Sequence, residues 1–321
     1  MCGTNWKKRI AGIAAGALMA AVLLVGCGKQ EPFDPPSVSS GTAQVGSASE
    51  EPVTEAPEIE GKDMFLVYFS GIDVFGDIST KSRSDVNILA AVNRKTRTIQ
   101  LVSTPRDYYV QIPVSGEARD KLTHAGLYGV ECSEGALENL YGVDIDYYVR
   151  VNFTGFEEII DELGGIDVYS EYDFTVEPIK HYTEGMNHLS GIEALAFVRE
   201  RHAFEKGDVQ RGINQMEMLK ALIARMSQED VLKNFGNVMA GFSSKMQTDM
   251  PMDLLQNMVQ IELADADDWT VETYYVTGSG GKETTYSTPG QSVYVMMPNE
   301  EEVAEGGRLL NEVLERVDSD E

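Results

Sequence analysis

The chain of 321 residues is long enough for a short N-terminal device followed by one large domain or two small ones, and its 42% hydrophobic content excludes global disorder. A formal net charge of -26 at pH 7 argues against nucleic acid as a partner and against a general electrostatic hold on anionic lipid or polymer, so any anion site must be local. Of the 3 cysteines only Cys27 and Cys132 remain once a leader is removed, which leaves no disulfide framework and no zinc spacing.

Lys7, Lys8 and Arg9 precede an apolar run from Ile10 to Val25, the pattern of an export segment. The run ends Leu24-Val25-Gly26-Cys27, similar to the lipobox of bacterial lipoproteins, in which the cysteine is diacylated and becomes the mature N-terminus. Residues 1–27 are therefore read as a signal segment with Cys27 as the lipidation site. The alternative is an uncleaved signal anchor, since Ile10 to Cys27 just spans a core of about 30 Å at about 1.5 Å per helical residue. Either way, the rest of the chain is tethered to the outer face of the cytoplasmic membrane. Residues 28–61, with Pro32, Pro35, Pro36, Pro52 and Pro57 among Ser, Gly, Thr, Ala and Glu, predict a disordered linker.

From residue 62 the composition becomes globular. Met64–Phe69 and Val86–Val92 are apolar runs suited to buried strands, and Thr98–Ser103 alternates, with Ile99 and Leu101 inward. Tyr147–Val151 predicts another strand. Thr154-Gly-Phe-Glu157 has the form of a capping box opening a helix with Phe156, Ile159, Ile160 and Leu163 on one face, stopped by Gly164 and Gly165. Ser190-Gly-Ile-Glu193 predicts a second box, and Asp208 an N-cap for a helix burying Met216, Leu219, Leu222 and Ile223. Pro251–Ile261 reads as a helix, Thr270–Val276 and Ser292–Met297 as strands, and Gly278–Gly281 as a flexible turn. Asn299 with Glu302 caps a last helix carrying Val303, Leu310, Val313, Leu314 and Val317. Strands interleaved with helices predict a single three-layer α/β/α domain over residues 62–321, with a central mixed β-sheet.

The stretch Leu195–Gln215 (LAFVRERHAFEKGDVQRGINQ) concentrates anion-binding groups in an acidic chain. Arg199 and Arg201 are two apart, so on an extended segment their guanidinium forks share a side and can grip one phosphate. Beyond them, Arg211 and Gln215 stack at i and i+4 on one helical face. Two surface arginines followed by an ordinary capped helix is the competing interpretation of this stretch alone. Gly71-Ile72-Asp73, Ser82-Arg83-Ser84-Asp85 and Ser103-Thr104-Pro105-Arg106-Asp107 have the same character, each beside a predicted strand end, where open α/β sheets place ligands. Arg83 and Asp85 would offer one phosphate contact and one hard oxygen ligand side by side.

The motifs RSDVNIL, STPRD, KLTHAGLYG, YVRVNFTGFEEIIDELGGIDV, HLSGIEALAFVRERH and GDVQRGINQ together resemble the LytR-CpsA-Psr family of cell-wall phosphotransferases, from about Met64 through the Asp208 helix and more loosely to VYVMMPN. The resemblance implies a reaction on the outer face of the membrane of a bacterium of the Gram-positive type. A glycopolymer, teichoic acid or capsule, linked through pyrophosphate to a polyprenyl lipid is attacked by a peptidoglycan hydroxyl, the C6 hydroxyl of N-acetylmuramic acid. Carried over by motif, Asp73 and Asp85 are expected to bind magnesium (Mg2+), and Arg83, Arg106, Arg199, Arg201, Arg211 and Gln215 to clamp the pyrophosphate, with Lys121 as a secondary contact. Asp85, Arg106, Asp208 and Arg211 form the expected catalytic set. Asp208 is either the general base or the carboxylate that keeps Arg201 and Arg211 in register. Asp107 is expected to position Arg106, and His124 and His202 to be structural. Phe153, Phe156, Leu163, Phe197 and the Met216–Ile223 stripe are candidate walls of an acyl slot.

The chain departs from the family in its lipobox-like ending, where a transmembrane anchor is common. It also departs in Ile213 and Met216, where related sequences carry a lysine and a glutamine. Two other functions stay open on the residues alone. One is a non-catalytic lipoprotein that binds a phosphorylated or lipid-linked ligand, and the other is a polyprenyl-pyrophosphate hydrolase using water as acceptor.

Overall fold

The computed structural model describes residues 62–264 and 269–315, so the leader 1–27 with Cys27, the linker 28–61 and Val317 lie outside the described residues. Strands β1 (Met64–Ile72), β2 (Ser84–Asn93) and β3 (Thr98–Ser103) form an antiparallel meander, followed by a short pair, β4 (Tyr109–Gln111) and β5 (Arg119–Lys121). Helices α1 (Leu122–Ala125) and α2 (Val130–Tyr141) lead into β6 (Tyr147–Asn152) and α3 (Phe153–Glu162). Four short strands come next: β7 (Ile166–Ser170), β8 (Phe174–Val176), β9 (Lys180–Tyr182) and β10 (Gly185–Leu189). After them come α4 (Gly191–Arg199), α5 (Asp208–Met226), α6 (Glu229–Lys233), α7 (Phe235–Phe242), β11 (Met246–Thr248) and α8 (Met252–Ala264). The chain closes with β12 (Thr270–Tyr275), the hairpin of β13 (Gly278–Thr285) and β14 (Thr288–Pro298), and α9 (Glu300–Glu315).

The central sheet has the order β11-β6-β1-β2-β3-β12 and is mixed, with β1 parallel to β6 and β3 parallel to β12. Alternate residues of β1 serve opposite layers. Phe65 and Val67 pack with α5, α7 and α8 on one face, while Leu66 and Tyr68 pack with α1, α2 and α9 on the other. A sheet covered on both faces has no polar side, which is why its strands read as continuous apolar runs. This also corrects the expected alternation of β3, all of whose residues are buried, Gln100 included. A third cluster joins the β7–β10 strands to α4 and α5, with Phe174 and Tyr182 stacked at 4.6 Å.

Several local expectations change. The cap of α3 is Asn152, whose Oδ1 accepts from the Gly155 N–H at 2.8 Å, because the helix already begins at Phe153; Thr154 Oγ1 instead accepts from the Gly76 N–H at 2.9 Å. Asp208 is the first helical residue of α5, and Gly207, at φ 50°, precedes it as the cap. The Ser190 box forms as expected, Glu193 accepting from the Ser190 N–H at 2.9 Å. Gly278–Gly281 is paired strand, not a turn: a Cβ at Gly278 would lie 2.2 Å from the Met297 carbonyl oxygen, so the glycine permits the close approach of β14. Among the described residues no helix is long and apolar enough to cross a membrane.

The order of the strands brings the end of β1, the start of β2 and the ends of β3, β6 and β12 to one edge of the sheet. That edge is covered by α4, which packs on α3 so closely that a Cβ at Gly191 would sit 2.1 Å from the Glu157 carbonyl oxygen. Gly191→Ala is expected to lower the unfolding free energy by about 2 kcal/mol through overpacking. Urea denaturation checks this, and an unchanged midpoint would count against the close approach.

Candidate active site

A cavity of about 540 Å³ opens at this edge, between the β1, β2 and β6 ends on one side and α3, α4 and α5 on the other. Most of its wall is apolar, with Phe69, Val149, Phe156, Ile179, Leu219 and Leu222 among the lining residues. The rest is largely polar and charged: Asp73, Asp85, Arg106, Arg199, Glu200, Arg201 and Arg211 line the same space, together with Gln215 and with His202, expected to be structural. Segments far apart in sequence therefore converge, because each succeeds or precedes a different strand or helix that ends there.

Asp208 is the centre of the charged group. Its Oδ1 accepts from Arg201 at 3.2 Å, its Oδ2 accepts from Arg211 at 2.7 Å, and Arg106 Nε lies 3.5 Å from Oδ2. The other end of Arg106 donates to Asp85 Oδ2 at 2.5 Å, and Thr123 Oγ1 donates to Asp85 Oδ1 at 3.1 Å. Asp107 lies 3.7 Å from Arg106 Nε while accepting from Lys121 at 2.8 Å. Burial works against the Arg106 charge, but Asp85, Asp208 and Asp107 outweigh it and hold the guanidinium above its ordinary pKa. Arg211 falls below its ordinary value because burial, joined by repulsion from Arg106 and Arg201, exceeds the attraction of Asp208. Both remain cationic at neutral pH. Arg106 Nε is buried with no well-formed hydrogen bond, a donor suited to an incoming anionic oxygen.

The remaining expected residues divide. Arg199 is not on an extended segment but in the last turn of α4, since the Ser190 box and the run through Val198 keep the chain helical; its guanidinium lies 4.3 Å from the centroid of the Phe153 ring. Arg201 lies just past the helix end, and the two still line one cavity. Gln215 donates to the Val198 carbonyl at 3.3 Å, tying α5 to the end of α4. Arg83 is exposed and outside the cavity lining, and its carbonyl accepts from the Asp73 N–H at 3.0 Å. Lys121 also lies outside that lining, paired with Asp107. His124 is buried, its Nδ1 2.6 Å from Asp120, as a structural histidine would be.

Phe153 and Phe156 line the apolar part, whereas Leu163, Phe197, Met216 and Ile223 belong to the packed clusters and stay outside the lining. Residues of β1, β2 and β6 replace them, and their apolar runs carry no mark that separates cavity wall from core. Thr123 and Arg150 were also missed. Arg150, on β6, is 6% exposed and donates to the Thr80 carbonyl at 2.7 Å and to Gln247 at 3.0 Å, so it fastens the loop between β1 and β2 that begins at Asp73. A charge inside the apolar run Tyr147–Val151 was the available signal.

A second cavity of about 50 Å³ shares Asp85, Arg106, Arg211 and Gln215 with the first and lies over β3 and β12. Ser103, Thr104, Tyr275, Met296 and Asp208 are among its other lining residues. As for a metal, the described residues contain no group of three or more His, Cys, Asp or Glu side chains arranged around one point. Asp73 and Asp85 both line the large cavity, and an ion such as magnesium keeps waters and takes one or two carboxylates together with phosphate oxygens.

Relatives agree with this architecture. The family model described as the LytR_cpsA_psr family matches residues 37–305. The polyisoprenyl-teichoic acid--peptidoglycan teichoic acid transferase TagT of Bacillus subtilis (strain 168) is 38% identical over 232 residues, covering 68% of this chain and 70% of TagT. The crystal structure of B. subtilis TagV superposes with a TM-score of 0.66 at 28% identity, covering 80% of this chain and 99% of that one. A structure of TagT bound to LI-WTA gives 0.61 at 28% identity, covering 79% and 91%. With a family match that spans most of its length and a shared fold, this chain belongs to the LytR_cpsA_psr family.

Proposed function

We propose that this chain is a phosphotransferase that moves a glycopolymer phosphate from a polyprenyl-pyrophosphate-linked donor to a hydroxyl of peptidoglycan. The observation that carries this is the union, in one cavity, of a long apolar wall with Arg106, Arg199, Arg201 and Arg211. Such a space suits an amphiphile with a hydrocarbon tail and a diphosphate head. Relatives named as teichoic acid transferases, and a TagT structure with LI-WTA bound, support teichoic acid as the polymer.

The charges dictate the chemistry. The acceptor oxygen bonds to the polymer-side phosphorus, the bond from that phosphorus to the bridging oxygen breaks, and polyprenyl phosphate leaves with the electron pair while the hydroxyl proton passes to water. Negative charge accumulates on the leaving phosphate and on the equatorial oxygens, and guanidiniums already in place stabilise it without reorganising. Arg199 and Arg201 meet the diphosphate from the α4 end and Arg106 and Arg211 from the sheet and α5. Asp208 acts as an orienting carboxylate, since both of its oxygens are engaged by guanidiniums. Asp73 and Asp85 would hold magnesium, which when bound supplies further neutralisation of the diphosphate. Cys27, or an intact N-terminal helix, would keep the domain at the outer face of the cytoplasmic membrane, where donor and wall meet.

Arg106→Ala and Arg199→Ala are each expected to reduce transfer at least about a hundredfold, equivalent to about 2.7 kcal/mol in the barrier. The assay uses purified protein, lipid-linked donor and peptidoglycan, with circular dichroism to confirm folding; wild-type rates in either variant would reject its part in the clamp. A chelator should remove most of the activity and added magnesium restore it, whereas full activity in the chelator would eliminate the metal. Mass spectrometry of the mature N-terminus should show a diacylated Cys27, and an unprocessed leader would establish the helical anchor instead.

A further inference from the structure

In-line displacement requires the attacking hydroxyl to arrive opposite the leaving group. If the polyprenyl phosphate departs toward the apolar cavity, the acceptor must approach from the other flank of the shared wall formed by Asp85, Arg106, Arg211 and Gln215. Sheet order places that flank over β3 and β12, where the small cavity lies, next to the β13–β14 hairpin. Met296 of β14 lines the small cavity, and its N–H donates to the Asp107 carbonyl at 2.8 Å, which anchors the hairpin to the charged group.

Tyr294 is two residues from Met296 on the same strand, so both side chains stand on one face of it. The Tyr294 side chain is 48% exposed, and Lys121 Nζ lies 5.8 Å from its ring centroid. Lys282, directly opposite in the hairpin register, shares that face. The pKa of the Tyr294 phenol is pushed up by partial burial and by the Asp107 and Asp208 carboxylates, consistent with its position beside the charged group. At the hairpin tip Tyr286 (43% exposed) meets Tyr128 (36% exposed) from the segment between α1 and α2, their ring centroids 6.1 Å apart. The hairpin tip is held rigid, since the Ser287 N–H donates to the fully buried Asp120 at 2.9 Å and the Tyr128 and Ser287 hydroxyls are 3.0 Å apart.

Exposed aromatic rings on a rigid hairpin offer apolar faces for the C–H faces of sugars, and a phenol tip that remains wet. Lys282 beside Tyr294 supplies positive charge, which in a chain of net charge -26 is complementary to a ligand carrying carboxylates, while Lys121 is already paired with Asp107. We infer that the small cavity and the Tyr294 face of the β13–β14 hairpin form the acceptor subsite, which takes an acetylated amino-sugar strand bearing carboxylates and delivers its hydroxyl to the Arg106–Asp208–Arg211 group. This rests on the transferase reading, and it assigns to the acceptor the opposite flank of the wall that bounds the donor cavity.

The test uses the full chain in detergent and a soluble tetrasaccharide of alternating N-acetylglucosamine and N-acetylmuramic acid carrying its stem peptides. Calorimetry should show binding by the wild type, roughly fivefold weaker binding by Tyr294→Ala, and binding within about twofold of wild type for Tyr294→Phe, because the ring and not the hydroxyl makes the contact. In the transfer assay, Tyr294→Ala should raise the acceptor KM by a similar factor of roughly five and leave the donor KM within about twofold. Tyr172→Ala, an exposed tyrosine outside both cavity linings, should change neither. Equal affinity in wild type and Tyr294→Ala, or no binding by either, overturns the inference. So does a rise in donor KM alone, which would place the donor polymer on this surface. The binding measurement needs no turnover, so failure of the transferase reading would appear separately as a wild-type protein that binds the sugar and transfers nothing.

Discussion

The Asp208 carboxylate is the contact on which the site depends. It lies within hydrogen-bonding or ion-pairing distance of Arg106, Arg201 and Arg211, which come from the end of β3, the segment after α4 and the first turn of α5. Guanidiniums this close repel one another, and the depressed pKa of Arg211 reflects first its burial and then that repulsion. The central carboxylate offsets that repulsion and holds the positive groups near one point. Asp85 has the same effect on the far side of Arg106. The arrangement is tolerable because the pairs are only partly buried and each charge has an opposite neighbour.

A chain with net charge -26 does not draw an anionic substrate from a distance. At physiological salt the screening length is about 8 Å, so the guanidiniums act essentially at contact. On the proposed reaction, affinity for a lipid-linked donor comes largely from the tail, and the apolar wall over β1, β2 and β6 provides the area for it. Such a division of labour would let a strongly acidic protein serve the proposed diphosphate: hydrocarbon burial would bring the ligand in, and a small, pre-oriented cationic group would recognise its head.

One short segment links the core to the site. In Tyr147–Thr154, Val149 fills a core cluster, while Arg150, Asn152 and Thr154 reach toward the loop after β1, bonding to the Thr80 carbonyl, the Gly76 carbonyl and the Gly76 N–H. Asn152 additionally caps α3 through its Oδ1. The loop that begins at Asp73 is thereby held by two side chains of β6 and one from the first turn of α3, which ties the rim of the cavity to the central sheet.

Local pattern placed strands β1, β2, β3, β6, β12 and β14 and helices α3, α4, α5, α8 and α9, but not α1, α2, α6, α7, β4, β5 or β11. Apolar runs marked β1, β2 and β6, the Ser190–Glu193 box started α4, and the four-residue spacing of Arg211 and Gln215 set both on one face of α5, because these features depend on neighbours within one helical turn or one strand. The β7–β10 strands were not foreseen, being short and paired only with each other, and the glycine-rich stretch of β13 read as a turn because its partner, β14, is what makes it a strand. The same limit applied to the site. Motif resemblance singled out the arginines and aspartates one by one, but which of them meet was decided by strand order and by α4 packing on α3. The fold drew in Arg199, Arg201, Arg211 and Arg106, left Arg83 outside the cavity, and turned Lys121 to Asp107. Residue identity therefore determined the kind of chemistry available, charge for phosphate and apolar surface for lipid. The location, the separation of two cavities by one charged wall, and the choice of Asp208 as their common anchor arose only from contacts between residues distant in sequence, which no local periodicity encodes.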